Sequence, residues 1–339
     1  MLKKLGTVLV ASVMLVGCSG NKTNEEETNT NKNFKVGMVT NLNGIDDQSF
    51  NQATWEGLVK FGKDHKLKEE KGYRYLQAQS EADFIPNLNQ FAEGNYNLTI
   101  GVGFPLETAV KDVATQHTDK QFAIIDAVVD EPNVTSILFK EEEGSYLAGI
   151  AAGLTTKTNT VGFIGGVDSD LIKKFEAGFA AGVKEVNPKA KVIVQYAGSF
   201  GDAGKGSSIA SSVYSQGADV IYHAAGGTGN GVFTEAKNRA KKGEKVWVIG
   251  VDSDQHEQGM PENVTLTSMV KNVSQAVYNL SKEAYDGTLK GGKTIVYGVK
   301  EDGINLITEH GNLSDKVLST MEEYKVKIKN GEIEIPTKP

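Results

Sequence analysis

Asn43-Gly44-Ile45-Asp46-Asp47-Gln48-Ser49-Phe50-Asn51 joins a strand-like run, Val36-Gly37-Met38-Val39-Thr40, to a segment of helical period that continues to Phe61. A strand feeding a helix this directly is the unit of α/β folds, whose ligands lie outside the carboxyl ends of the strands, where this loop falls. Ser49 followed three residues later by Gln52 reads as a capping box, so the helix is expected to open with Phe50 and Asn51, beside unpaired backbone N–H groups. Two adjacent carboxylates, Asp46 and Asp47, precede it.

Outward from that stretch, β-branched or aromatic runs recur at 36–40, 74–77, 98–101, 122–126, 161–164, 192–196, 220–222 and 246–251. Between them lie apolar stripes of helical spacing, such as Phe84/Leu88/Phe91 and Phe175/Phe179/Val183. This alternation predicts parallel sheet flanked by helices. Eight strands over this length suggest two similar sheets, although spacing alone leaves a single barrel open. A Gly-rich helix at 144–153, between the fourth and fifth of these runs, reads as the first element of the second half.

The start of the chain has another character. Lys3 and Lys4 precede an apolar run at 8–16 that is too short to span a bilayer and has the layout of a secretory signal, so residues 1–17 are set apart from the fold. The run ends at Leu15-Val16-Gly17-Cys18, and Cys18 is the one cysteine in 339 residues, so it cannot be half of an intrachain disulfide. Leu-Val-Gly-Cys resembles the lipobox of bacterial lipoproteins, in which the Cys is acylated and becomes the new N-terminus. The rest of 18–33 has no apolar residue and reads as a flexible tether. An exported protein hung from a membrane by Cys18 is the expectation.

After the tether about 305 residues remain, about two domains' worth, and 39% hydrophobic residues suffice for ordinary cores. Net charge is −7, and removing Lys3 and Lys4 with the leader takes it to −9, which argues against a nucleic-acid partner. Gly201-Asp-Ala-Gly-Lys-Gly206-Ser-Ser fails as a phosphate loop because Lys205 precedes Gly206. Gly226-Gly227-Thr228-Gly229-Asn230-Gly231 lacks dinucleotide-fingerprint spacing and reads as a loop where backbone passes close to a ligand. Scattered His and the absence of a calcium loop after Asp252 argue against a metal, and no cofactor is expected. No Cys–His pair and no G-x-S-x-G elbow is present. What remains is a set of residues just past the predicted strands: Asp46, Asp47, Phe50, Phe104, Asp126, Ser199, Phe200, Gly226, Gly227 and Asp252. Together they describe a cleft with aromatic faces and carboxylates but few cations, though Phe50 alone could equally be a core residue of its helix.

The segments Gly44-Ile-Asp-Asp-Gln-Ser-Phe-Asn51, Glu143-Gly-Ser-Tyr-Leu-Ala-Gly149, Gly162-Phe-Ile-Gly-Gly166, His223-Ala-Ala-Gly-Gly-Thr-Gly-Asn-Gly231, Val248-Ile-Gly-Val-Asp252 and Ser268-Met-Val-Lys271 resemble the basic membrane lipoproteins. These are substrate-binding proteins of ABC importers, whose best understood members bind purine nucleosides. The likeness runs from Val36 to about Gly303. It implies a type I periplasmic-binding-protein fold, two Rossmann-like lobes with parallel sheets joined by a three-stranded hinge: residues 34–140 plus 268–300 in lobe 1, and 141–267 plus 301–339 in lobe 2. It also implies roles. Phe50 and Phe200 would sandwich the purine, Asp47 and Asn51 would meet its edge, Asp126 and Asp252 would accept from ribose hydroxyls, Gly227 would admit the sugar, and Lys271 would donate to ribose. The implied partners are a nucleoside such as adenosine, guanosine or inosine, and a permease with its ATPase, the protein acting as a monomer and not as an enzyme. A sensor lipoprotein of the same fold, or a secreted nucleoside-cleaving enzyme, are the alternatives.

Overall fold

The computed structural model describes residues 33–339. Cys18, the leader and nearly all of the tether lie outside the described residues. The first half of the chain runs β1 (Val36–Val39), α1 (Phe50–Asp64), β2 (Tyr73–Leu76), α2 (Phe84–Glu93), β3 (Leu98–Val102), α3 (Glu107–Gln116), β4 (Gln121–Ile125) and β5 (Val134–Phe139). The second runs α4 (Glu141–Thr155), β6 (Thr160–Gly165), α5 (Asp170–Val186), β7 (Lys191–Tyr196), α6 (Ala203–Ser215), β8 (Val220–Ala224), α7 (Gly229–Ala240), β9 (Trp247–Asp252) and β10 (Thr265–Lys271). The chain then returns through α8 (Val273–Tyr285) and β11 (Lys293–Tyr297) and finishes with β12 (Ile304–Leu306) and α9 (Asp315–Lys329).

All eight strand-like runs are strands, and they form two six-stranded sheets ordered β11-β5-β4-β3-β1-β2 and β12-β10-β9-β8-β6-β7. The barrel left open by spacing is thereby excluded. Pairing is parallel throughout except for β12, which runs antiparallel to β10. β5, β10, β11 and β12 were not among the strand-like runs, for different reasons. β5 follows β4, and β10 follows β9, without an intervening α-helix, so alternation gives no cue. β11 is a half-exposed edge strand and β12 has three residues. With β5 counted, the Gly-rich helix stands between the fifth and sixth strands.

That helix, α4, packs on α5 closely enough that side chains are excluded from the seam. A Cβ on Gly182 would come 2.0 Å from the Tyr146 carbonyl oxygen, and one on Gly149 would come 2.2 Å from that of Phe179. The first residue of α4, Glu141, has no exposed surface.

Three connections cross between the sheets: β5 to α4, β10 to α8, and β11 to β12. They are tied to one another, since Lys140 N–H donates to Tyr297 O at 2.9 Å, Asn272 N–H to Gly303 O at 2.8 Å, and Val299 N–H to a Glu143 carboxylate oxygen at 2.7 Å. α8 returns to the first sheet against α1, with Gly57 beneath Ser274. The lobe boundary expected at residue 268 falls inside β10, which stays in the second sheet as far as Lys271.

Candidate functional site

The loop after β1 is held by Asp47 and not by the expected capping box. Asp47 Oδ1 accepts from the N–H groups of Ser49 (3.0 Å) and Gln52 (3.1 Å), and its Oδ2 from Asn51 N–H (2.9 Å) and Asn51 Nδ2 (2.8 Å). A carboxylate one turn ahead of the helix thus satisfies its orphan donors and meets the positive end of its dipole. Ser49 makes no capping bond. Its hydroxyl instead donates to Asp252 Oδ2, in the other lobe, at 2.5 Å, and the Gln52 amide goes to Glu56. Asn51 has its amide nitrogen committed to Asp47 and Asn41, while its Oδ1 is buried with no partner among the described residues.

A cavity lies between the carboxyl ends of the two sheets, where ligands of parallel α/β folds sit. Of the residues singled out in the sequence, Asp47, Phe50, Asn51, Phe104, Asp126, Phe200, Gly226, Asp252 and Lys271 line it. Ser199 and Gly227 stand just behind the wall. Ser199 Oγ accepts from Gly201 N–H, and Gly227 lies against the carbonyl of Phe200. Asn41, Asn43, Leu171, Ile172 and Phe175 also line the cavity. Of the last three only Phe175 stood out in the sequence, as the start of the stripe Phe175/Phe179/Val183, and nothing there signalled that this end of α5 faces a cavity instead of the sheet.

Rings and charges divide the cavity. Phe104 meets Phe200 edge to face at 6.4 Å, and Phe50 lies across Gly103, where a Cβ would be 3.5 Å from its ring. On the hinge side, Lys271 is 2% exposed, with its ammonium 2.5 Å from Asp126 Oδ2, 3.4 Å from Glu141 Oε1 and 4.7 Å from the centre of the Phe50 ring. Glu141 in turn reaches Lys174 at 3.4 Å. Burial alone would lower the Lys271 ammonium, but the Asp126, Glu141 and Asp252 carboxylates outweigh it and hold it above the ordinary lysine value. Burial raises the Asp252 carboxyl to about 6, against the pull of Lys271 and the Ser49 hydroxyl. Asp126 Oδ1 is buried and unpartnered among the described residues. Asp126 and Asp252 both have φ +66°, a left-handed conformation that Asp tolerates better than most residues.

The lobes touch across the cleft on the side away from the hinge. The carbonyl of Gln48, itself at φ +55°, accepts from Gln255 Nε2 (2.9 Å), Ser253 Oγ (3.3 Å) and Gln258 Nε2 (3.3 Å) of the second lobe. Gln255 is 1% exposed, and its Oε1 takes Val251 N–H at 2.9 Å and His223 Nε2 at 3.0 Å. This fixes the His223 tautomer with the proton on Nε2, and burial pushes that imidazole down to about 4, keeping it neutral at pH 7. Among the described residues no cluster of metal-binding side chains occurs, and no helix is long and apolar enough to cross a membrane.

The same architecture and sequence recur in known proteins. A protein from Listeria monocytogenes named CD4+ T-cell-stimulating antigen is 49% identical over 98% of this chain and 97% of its own. The ABC transporter nucleoside-binding protein BmpA of Lactococcus lactis subsp. cremoris is 40% identical over 98% of each. Among solved structures, an ABC transporter solute-binding protein from Aeropyrum pernix K1 superposes with a TM-score of 0.81 at 27% identity, covering 90% of this chain and 93% of that one. The family model for Bmp, the PnrA-like ABC transporter substrate-binding proteins, matches residues 34–339. A cleft between two hinged lobes, built to hold a small molecule and not to transform it, is what such proteins share, and this chain belongs to the PnrA-like Bmp family of ABC transporter substrate-binding proteins.

Proposed function

We propose that the cleft captures purine nucleosides and delivers them to an ABC permease. The observation that carries this reading is the division of the cavity. The aromatic faces of Phe50 and Phe200 suit a flat base, while Asp126, Asp252 and Lys271 offer acceptors and a donor to a hydroxyl-bearing sugar. Asn51 Oδ1 and Asp126 Oδ1, both buried without partners, are acceptors awaiting donors from a ligand. A nucleotide would bring its phosphates among these carboxylates with Lys271 as the one nearby cation in the cavity wall, so nucleosides are favoured over nucleotides. The naming of the Lactococcus relative as nucleoside-binding points the same way.

In this reading one expected role changes. Asp47 spends both carboxylate oxygens on α1, so the base edge is read chiefly by the Asn51 carbonyl oxygen, and Asp47 acts by holding it. Phe50 lines the cavity and also packs against the core, so Phe50→Ala would remove a stacking face together with some core contact. A titration of ligand-depleted protein with inosine, hypoxanthine and 2′,3′-dideoxyinosine tests the reading. Inosine should bind at least about a hundredfold more tightly than either analogue, because losing the hydroxyls strands buried polar groups. Hypoxanthine binding as tightly as inosine would remove Asp126, Asp252 and Lys271 from the sugar site.

The protein works outside the cytoplasmic membrane in this reading, with the lipid anchor on Cys18. Cys18→Ser should move it from the membrane fraction to the medium with nucleoside affinity unchanged, and a variant that stays in the membrane fraction would refute the anchor.

A further inference from the structure

Glu141 is the one carboxylate of the charged cluster that does not line the cavity. It is fully buried, so no water replaces its partners, and it bridges Lys271, which faces the ligand, to Lys174, whose side chain is 29% exposed on α5. An ammonium has three N–H donors. For Lys271, Asp126 and Glu141 accept two of them, which leaves a third on an ammonium that stands over the Phe50 and Phe139 rings in the cavity wall. From this geometry we propose that Glu141 is a positioning residue for ligand capture. Its negative charge keeps Lys271 from closing on both oxygens of Asp126, so that Asp126 Oδ1 and one Lys271 N–H stay available to the sugar. This rests on the nucleoside reading above.

The same geometry makes capture sensitive to pH. Burial raises the Glu141 carboxyl to about 7, with Lys271 opposing, Asp126 adding to the rise and Lys174 opposing. The Tyr222 hydroxyl from β8 also feels its charge. Of the other elements on α4, β12 meets Gly144 with Ile304, and α9 sets Tyr324 against Tyr146, more than a turn away. Glu142 and Glu143 follow on the helix itself. As the pH falls through neutrality Glu141 becomes neutral, Lys271 is left to Asp126, and ribonucleoside affinity drops. Asp252, which titrates near 6, adds a separate limb on the acid side.

Calorimetric titration with inosine and 2′,3′-dideoxyinosine between pH 5.5 and 8.5 tests this. Wild-type affinity for inosine should rise about threefold to tenfold from pH 6 to 8, the worth of one hydrogen bond, with proton release on binding, while dideoxyinosine changes little in that window. Glu141→Gln should hold inosine at its low-pH affinity and abolish the limb near neutrality. Lys174→Met, at a half-exposed site that does not endanger folding, should move the midpoint upward by removing a cation from beside the carboxylate. A Glu141→Gln protein that keeps the wild-type pH profile, or weakens both ligands equally, would overturn the positioning role and leave a structural one. A wild-type protein that binds no ribonucleoside would overturn the nucleoside reading itself, whereas binding with a flat profile would overturn this inference alone.

Discussion

Superimposing the strand orders of the two lobes pairs β4 with β9 and β5 with β10, and the register carries the correspondence to single residues. Val270 stands opposite Asp252, while Ile125 stands opposite Ile137, so that one step further Asp126 faces Leu138. Asp126 and Asp252 are therefore counterparts, down to the same φ of +66°. The next residues, Phe139 and Lys271, are counterparts too, and they meet, with the Lys271 ammonium 5.1 Å from the Phe139 ring centre. Two residues on, Glu141 opens α4 and Val273 opens α8. The backbone plan is repeated, whereas the charges are not. The pseudo-symmetry itself supplies the reason, because a second Lys or Glu at the counterpart position would set like charges together in a buried place.

The largest effect should come from removing Lys271, the buried cation that lines the cavity. Lys271→Met keeps much of the side-chain volume but leaves Asp126 buried without its ammonium and Glu141 with Lys174 alone. Stranding buried charge in this way costs about 3–5 kcal/mol, so the variant should lose that much stability in urea denaturation and lose inosine binding as well. A loss under about 1 kcal/mol would mean that the two carboxyls are already neutral in the folded protein, and that the lobes differ less in charge than their residues suggest.

The paired aspartates offer a sharper comparison, because Asn also tolerates a left-handed φ and the backbone need not move. Asp126→Asn removes the closest partner of Lys271, a hydrogen bond between charges worth about 1.5–3 kcal/mol. Asp252→Asn should cost less and depend on pH. With burial raising its folded-state value from the ordinary 3.8 to about 6, Asp252 contributes stability that is full below pH 4 and lost as the pH rises through 6. Wild type should accordingly lose up to roughly 3 kcal/mol from this group between pH 4 and pH 7, and an Asn there loses none. Denaturation at the two pH values checks the sign. If Asp252→Asn is more costly at pH 7 than at pH 4, the carboxylate is better paired than its burial implies.

How much of this was legible in the sequence follows from the physics of each part. Central strands such as β1 and β3 are buried on both faces and read as continuous apolar runs, so they stood out. Edge strands are half exposed, which hid β11. The strand-end positions of Phe50, Asp126, Phe200 and Asp252 were visible because a parallel sheet sends all its carboxyl ends to one edge. Lys271 was reached only through family likeness, since it ends β10, which no alternation marks. Glu141 was not reached at all: a run of three glutamates at a helix start looks like ordinary charge at the positive end of a dipole, and only the fold shows that the first of the three is buried. Ser49 and Asp47 exchanged roles because capping geometry depends on where the loop runs, and here Asp252 of the other lobe competes for the Ser49 hydroxyl.

The smallest effects belong to the rim opposite the hinge, where the lobes meet through the Gln48 carbonyl. A carbonyl oxygen has two lone pairs and here has three donors, so the longer, solvent-exposed contacts from half-buried Ser253 and Gln258 share one site with water as their ready substitute. Ser253→Ala should change nucleoside affinity by less than about 0.5 kcal/mol. Gln255 differs in burial and not in chemistry. Its amide makes the short contact to Gln48, and its oxygen satisfies both Val251 N–H and His223, neither of which water reaches easily. Gln255→Ala should therefore cost about 1–3 kcal/mol of stability by stranding those donors, with a further loss of affinity as the closed form loses its shortest cross-lobe bond at this rim. Denaturation separates the stability cost and calorimetry the affinity cost. Equal effects from Ser253→Ala and Gln255→Ala would mean that the rim is held as a solvated surface contact, and that closure is secured by the ligand and by the other cross-lobe bonds, Ser49–Asp252, Asn230–Asp47 and Lys271–Asp126.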